Sequence, residues 1–394
     1  MHKPDSSIPA TSEQREPKLN DTPSRTYVPD GMPELEQEGR TTSFFEFWPM
    51  WVMYFPVVLQ WLLLALRYRS LTLPLIANPA VKLSGMVGAA KSSLFDKAGD
   101  YARQWILPWT VYRVGGPEDA ASDPEERMDL LISRLQKADL DLPVVGKPDV
   151  GCRGAGVKLL KNRQELSDYL LGFPEGGSIQ FQKLSEWEAE AGVFYVRYPG
   201  ETEGEITSLT LKYMPFVLGD GVRSLEQLVT ADPRAGELKH LYEQRHRENW
   251  HRVLEDGELY RLVFSASHCR GAVFRDGQQY IDTRLARALD RIFDDIPGFH
   301  YGRLDIKFRD LNGLMAGEDF QIIEINGASS ESINIWDRNA SLGTAFRTLL
   351  QQYRTLFKLG DANRRRGHRT PGIKALWRAW QYENNLVKHY PQND

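Results

Sequence analysis

Tyr301-Gly302-Arg303-Leu304-Asp305-Ile306-Lys307-Phe308 is followed closely by Phe320-Gln321-Ile322-Ile323-Glu324-Ile325-Asn326. Both stretches alternate polar and apolar residues, the period of a β-strand with one buried face. Arg303 and Asp305 share one face, with Leu304, Ile306 and Phe308 on the other. Glu324 and Asn326 share a face, opposite Ile323 and Ile325. Two carboxylates and an amide oxygen beside a guanidinium form a donor set for a hard divalent cation next to a polyphosphate. A merely solvated strand face would not need that combination.

The bulk properties narrow the field. The chain has 394 residues, a net charge of −4 and 26% charged residues, which is room for more than one compact unit. A pI near 6.1 gives no footprint for nucleic acid. Two cysteines, Cys152 and Cys269, lie far apart without metal-ligand spacing, which suits a reducing compartment.

Residues 1–43 are polar and rich in Pro, Ser, Glu and Thr, and read as a disordered tail without a secretory signal. Residues 44–69 are apolar and aromatic. From Phe47 to Leu66 there is no basic residue and no acidic one, a run of about the ~20 residues that cross a bilayer. Pro49 and Pro56 interrupt it, and a helix begun at Pro56 is too short to span before Arg67 and Arg69. Its Trp, Tyr and Phe residues suit a water–lipid interface. A buried or self-associating helix, a membrane-surface anchor and a true span all remain open. A span would put its C-terminal side, with Arg67, Arg69 and Lys82, in the cytosol. The expected location is cytoplasmic, with membrane association through residues 44–66 and a homodimer left open.

Further strands are expected at Leu71–Ala77, Trp105–Tyr112, Leu142–Lys147, Val157–Leu160, Ser178–Leu184, Val193–Tyr198 and Ile206–Met214. Asp123-Pro124-Glu125-Glu126 starts a helix with Met128, Leu131, Leu135 and Ala138 on its packing face. Other helices are expected over Gln164–Leu171, from about residue 281, and around Arg347–Phe357. Gly85, Gly88 and Lys91 fail the spacing of a Walker loop. Gly219-Asp220-Gly221 reads as a hairpin-type turn.

Lys147 precedes a loop containing Gly151, Arg153, Gly154 and Gly156, whose backbone N–H groups could turn toward an anion. Read alone, such a loop is as well explained by an ordinary turn. Lys212 lies on a polar strand face with Ser208 and Thr210, and alone it reads as a solvated lysine. His268 invites a catalytic role, but a lone histidine is more often structural. Arg270 is better suited to clamp a phosphate or carboxylate.

In this order the elements resemble the ATP-grasp superfamily, particularly D-alanine–D-alanine ligase and related carboxylate–amine ligases. The resemblance runs from about Leu142 to Asp337. It rests on Val145-Gly146-Lys147-Pro148 with its glycine loop, Ile179–Leu184, Glu186–Glu190, Lys212, Gly302-Arg303-Leu304-Asp305 and Ile323-Glu324-Ile325-Asn326-Gly327. It implies an α+β fold in which two α/β subdomains clamp ATP, after a shortened N-terminal substrate domain. The implied parts are a pre-ATP-grasp region at 70–141, an ATP-grasp domain at 142–345 and a helical extension at 346–394. Its subdomains meet near Tyr198.

The resemblance further implies that Lys147 and Lys212 hold ATP phosphates under the Gly151–Gly156 loop. Gln182, Lys183 and Leu184 would meet the adenine, and Glu190 the ribose, with Glu186 and Glu188 as register alternatives. Asp305, Glu324 and Asn326 would bind Mg2+ (or Mn2+). Arg303 would face the tetrahedral centre; Arg270, read from its own chemistry, would hold phosphate or the substrate carboxylate in the catalytic set. The implied activity is an ATP-dependent ligase joining small-molecule carboxylate and amine (or thiol) substrates through an acyl phosphate. A kinase on the same scaffold and a membrane-associated, non-catalytic ATP-binding protein are the alternatives. Ala328-Ser329-Ser330-Glu331 departs from the proline-glycine continuation common in the family, so dipeptide formation is not implied.

Overall fold

The structure is a computed structural model describing residues 27–35, 41–116, 123–151, 154–265 and 267–391. Its strands are β1 (Trp109–Arg113), β2 (Val144–Pro148), β3 (Lys158–Leu160), β4 (Ser178–Lys183), β5 (Glu190–Val196), β6 (Glu205–Tyr213), β7 (Phe216–Leu218), β8 (Leu259–Arg261), β9 (Val273–Asp276), β10 (Tyr301–Phe308) and β11 (Phe320–Asn326). They form a four-stranded sheet ordered β1-β4-β2-β3, a five-stranded sheet ordered β11-β10-β5-β6-β9, and a β7-β8 pair. The named strand pairings of the two larger sheets are antiparallel. This is the α+β, two-sheet architecture that the resemblance implied.

The first sheet is covered by helices Pro124–Lys137 and Arg163–Leu171. Met128, Leu131, Leu135, Leu166 and Tyr169 pack there on Tyr112, Val144, Ile179 and Phe181. The first of these helices starts as its sequence demands: Asp123 accepts from the Glu125 N–H, with Pro124 behind it. The second sheet buries Val193, Tyr195, Leu209, Leu211, Leu304, Ile306 and Phe308 against Leu285, Leu289, Ile292 and Phe293 of helix Thr283–Asp294.

Several boundaries differ from expectation. β1 joins the first sheet from outside the 142–345 boundary. Val217–Tyr260 forms a compact unit of its own with its own buried residues, among them Leu225, Leu228, Tyr242 and Leu254. Gly219-Asp220-Gly221 makes no tight hairpin, because Gly219 and Gly221 donate to Glu258 and Leu254 far along the chain. Leu71–Ala77 is not a strand. Pro74 instead starts a 3-10 turn, Leu73–Ile76, where its missing N–H costs nothing.

The expected tail is not wholly without structure. Residues 1–26 and 36–40 lie outside the described residues, but Val28, Met32 and Leu35 pack on the second sheet's core. Pro33 accepts from the Tyr213 hydroxyl at 2.9 Å.

The aromatic segment is also corrected. Met50–Tyr68 is one continuous helix that passes through Pro56. Met53 and Val57, on either side of that proline, are buried in a cluster with Leu349 of the long helix Leu342–Arg365. Tertiary burial there outweighs the lost backbone bond, which propensity alone could not do.

Asn78 pins the entry to β10. Its Oδ1 accepts from the His300 and Tyr301 N–H groups at 2.8 and 2.9 Å. Its Nδ2 donates to the Tyr301 carbonyl at 2.7 Å. The neighbouring Ser84 carbonyl accepts from Ala328 at 2.8 Å, so the chain leaving β11 is fixed as well. At Gly327 a Cβ would come within 2.3 Å of the Ser84 oxygen, which explains glycine at that crossing.

Candidate functional site

The register of the second sheet sets its polar residues out in rows. Lys212, Glu190 and Lys307 are direct neighbours across β6, β5 and β10. Thr210, Gly192, Asp305 and Glu324 form the next row, and Ser208, Phe194, Arg303 and Asn326 the third. Directly opposed residues face the same side of a sheet, so two carboxylates stand side by side among cations.

Those cations settle the charge. Arg303 grips Asp305 with Nε at 2.9 Å and Nη2 at 3.2 Å, a two-point fork. Lys212 Nζ lies 2.8 Å from Asp305 and 3.0 Å from Glu190. Lys307 Nζ takes the other Glu190 oxygen at 3.0 Å. Burial works to raise the Asp305 carboxyl, but Arg303 and Lys212 outweigh it and hold it well below the ordinary range. Glu190 is lowered in the same way, its burial overcome by Lys212 and Lys307. Lys212 is raised despite its burial, because Asp305 and Glu190 keep its proton. A Cβ on Gly192 would sit 3.2 Å from Arg303 and 3.4 Å from Lys212, so the bare position leaves room for both to reach Asp305.

A β-bulge corrects the expected alternation. Asp305 pairs with Glu324, but Ile306 pairs with Ile322, so Ile323 is the extra residue. Ile322, not Ile323, enters the core. The bulge turns the Ile323 carbonyl to Lys147 of the first sheet, whose Nζ donates to it at 2.9 Å and to Gln182 Oε1 at 2.8 Å. Burial pulls the Lys147 ammonium down to about 8, with Glu324 opposing the shift.

Two cations here were not among the residues singled out from the sequence. Lys91 lies 3.4 Å from Glu324 and donates to the Gly151 carbonyl at 2.5 Å. It comes from the irregular loop whose glycines fail the spacing of a Walker loop, so sequence pattern alone sets it aside. Lys307 was legible, because it has the same strand parity as Arg303 and Asp305. Lys91, Lys147, Lys212, Lys307 and Arg303 thus converge on Glu190, Asp305 and Glu324, and Asp149 and Glu331 stand close enough to act on the same cations. Bringing that many cations together suits a polyanion.

The other residues expected from the sequence fall as follows. Gly151, Gly154 and Gly156 all have positive φ, the backbone form that favours glycine. Arg153 lies outside the described residues. Arg270 donates to the Gly154 carbonyl at 3.0 Å and to Ser265 at 3.1 Å, so it meets the glycine loop. The Lys183 N–H donates to Pro108, and its ammonium pairs with Asp139 at 3.2 Å. Leu184 follows β4 directly. Glu190, implied for a ribose, is buried with its oxygens held by Lys212 and Lys307. Of the register alternatives, Glu188 is held by Arg261. His268 stacks on Trp336 at 4.8 Å beside buried Glu46. Burial opposes its charge, but Cys269 and Glu46 raise it to about 9. That is a structural setting.

Comparison with known proteins adds little weight. Solved structures similar to the chain include two synthetases. The bifunctional glutathione synthetase from Pasteurella multocida aligns at 14% identity and a TM-score of 0.32, over 66% of this chain and 36% of that one. D-cycloserine synthetase DcsG aligns at 11% identity and a TM-score of 0.36, over 67% of this chain and 70% of that one. This chain thus spans about a third of the Pasteurella enzyme. At these scores neither likeness carries an argument. No protein-family model matches the sequence, and no curated protein matches it significantly.

Among the described residues no cluster of three His, Cys, Asp or Glu side chains is poised for a metal. The donor set nevertheless fits magnesium, which takes one or two carboxylates and completes its shell with phosphate oxygens and water. Asp305 and Glu324 are such a pair; in this structure Arg303, Lys212 and the Asn326 Nδ2 all donate to Asp305, so the cation would take their place on its oxygens.

The ladder also makes a stability prediction. Lys212→Met leaves two buried carboxylates with one cation fewer, and breaking a buried pair costs about 3–5 kcal/mol. Because Lys307 and Arg303 remain, the low end, about 3 kcal/mol, is expected in urea denaturation. The double variant Lys212→Met/Asp305→Leu should lose clearly less than the sum of its single changes.

Proposed function

We propose that the chain is an ATP- and Mg2+-dependent ligase of the ATP-grasp type, joining a small-molecule carboxylate to an amine. The observation that carries this reading is the placement of Lys147, Lys212 and Arg303 around the paired Asp305 and Glu324. Lys147 reaches over from one sheet to the bulge of the other, as a residue spanning a nucleotide cleft would.

In this mechanism Lys147 and Lys212 hold the polyphosphate and the glycine loop covers it. A carboxylate oxygen of the first substrate attacks the γ-phosphorus, the bond to the bridging oxygen breaks, and ADP leaves. The amine then attacks the acyl carbon. The C–O bond to phosphate breaks, inorganic phosphate leaves, and the nitrogen gives up its proton to solvent. Arg303 faces the tetrahedral oxyanion of that second step, where a preorganised cation is worth about 10²–10³ in rate. Magnesium, held by Asp305, Glu324 and Asn326, would neutralise charge on the phosphates when bound.

Screening acids and amines in pairs with MgATP tests the reaction. Release of ADP and phosphate that needs both partners together is expected. ADP with a stable phosphorylated product would instead make the protein a kinase, and no turnover with any pair would leave a binding protein.

A second test uses acidity. Lys147 carries its charge below about pH 8 in the free protein. Charged, it attracts phosphate, so ATP affinity should hold below that pH and decline above it. Lys147→Met should bind weakly and without that decline in a titration from pH 7 to 9.

A further inference from the structure

Helix Met50–Tyr68 is long and apolar enough to cross a membrane by length and composition. Its ends argue for a different placement. Phe45, just before it, and Leu73, just after it, are both fully buried in the same unit. A spanning helix would separate its ends by the ~30 Å hydrocarbon layer. This helix, about 28 Å long at 1.5 Å per residue, instead lies along the protein with both ends tied down. One face is occupied: Trp61 packs on Tyr353 and Phe357, and Tyr68 on Phe357, all within the long helix Leu342–Arg365. Tyr54 donates to Glu331 on that side.

The opposite face is bare. Trp51, Phe55, Val58, Leu59, Leu62, Leu63 and Leu66 are exposed, Leu66 at 77% and Trp51 at 74%. At 100° per residue they share one side of the helix, with no polar residue among them. So broad an apolar patch marks an interaction site rather than scattered surface.

Charge indicates the occupant. The apolar helix contains no acidic residue and ends with exposed Arg67 in its last turn and exposed Arg69 at its C-cap. On the long helix, Arg347, Arg354 and Lys358 are exposed and recur at spacings of 7 and 4, so they form one stripe, which Arg365, paired with Asp361 at 2.7 Å, continues. That stripe lies about a quarter turn from the side bearing Tyr353 and Phe357, which meets the apolar helix. A chain with net charge −4 thus carries a basic stripe on the helix that packs against this exposed apolar one. Aromatic residues at Phe44, Phe47, Trp48 and Trp51 suit the headgroup level.

We propose that this face docks in the plane of an anionic lipid bilayer, with Met50–Tyr68 sunk to the acyl boundary and the basic stripe on the headgroups. The protein is held at the surface and does not span it.

Flotation of the full chain with vesicles tests this. Binding is expected to vesicles of phosphatidylcholine with phosphatidylglycerol, to be weak to phosphatidylcholine alone, and to fall with added salt. Leu62→Ser/Leu63→Ser/Leu66→Ser should bind at least tenfold more weakly. Reversing Arg347, Arg354 and Lys358 to Glu should lose about fivefold or more per residue on anionic vesicles. All six positions are exposed, and an unchanged melting temperature checks that the variants fold. No binding to either vesicle overturns the proposal. So does a dimer, seen by sedimentation, that the leucine variant dissociates while vesicle binding is unaffected. Resistance to carbonate extraction would show a span and overturn the in-plane placement.

Discussion

A carboxylate buried in the middle of a sheet is stable only if cations meet its oxygens, and Asp305 is met by Arg303 and Lys212. The rest of the site follows from that arrangement. Lys212 must lie opposite Glu190 to reach both acids, which fixes the register of β5 and β6. Arg303 must lie two residues before Asp305 on β10. A side chain at Gly192 would crowd the stems of both. A shift of one residue in any of these pairings would send every charge to the apolar face. The ladder therefore enforces the fold of the second sheet while holding a high charge density ready at its surface.

The first sheet adds one decisive contact. Lys147 is buried, loses basicity for that reason, and ends on a carbonyl freed by the Ile323 bulge. Lys91 arrives from a third direction at Glu324 and Gly151. Cations from separate elements thus converge beside paired acids, an arrangement costly for stability alone and useful for a ligand with many negative oxygens and a divalent counter-ion.

Strand alternation was enough to place Arg303 with Asp305, opposite Leu304, Ile306 and Phe308, and Glu324 with Asn326, opposite Ile323 and Ile325. Capping chemistry was enough to start the helix at Pro124. Other features lay beyond local pattern. The bulge at Ile323 depends on which residues of β10 and β11 meet, which no single strand records. Lys91 sits in a loop without a phosphate-binding spacing and reaches Glu324 through the fold. Met50–Tyr68 runs on through Pro56 because distant residues of the long helix bury Met53 and Val57. Val217–Tyr260 separates as its own unit only through contacts the linear pattern does not show.

The central claim is that the two sheets together cradle a triphosphate with its divalent cation. Equilibrium binding of labelled ATP, measured across a series of Mg2+ concentrations, tests it most directly. Tight binding that requires Mg2+ and disappears in Asp305→Asn/Glu324→Gln is the predicted result. ATP bound equally well without a divalent cation, or not bound under any condition, would contradict it.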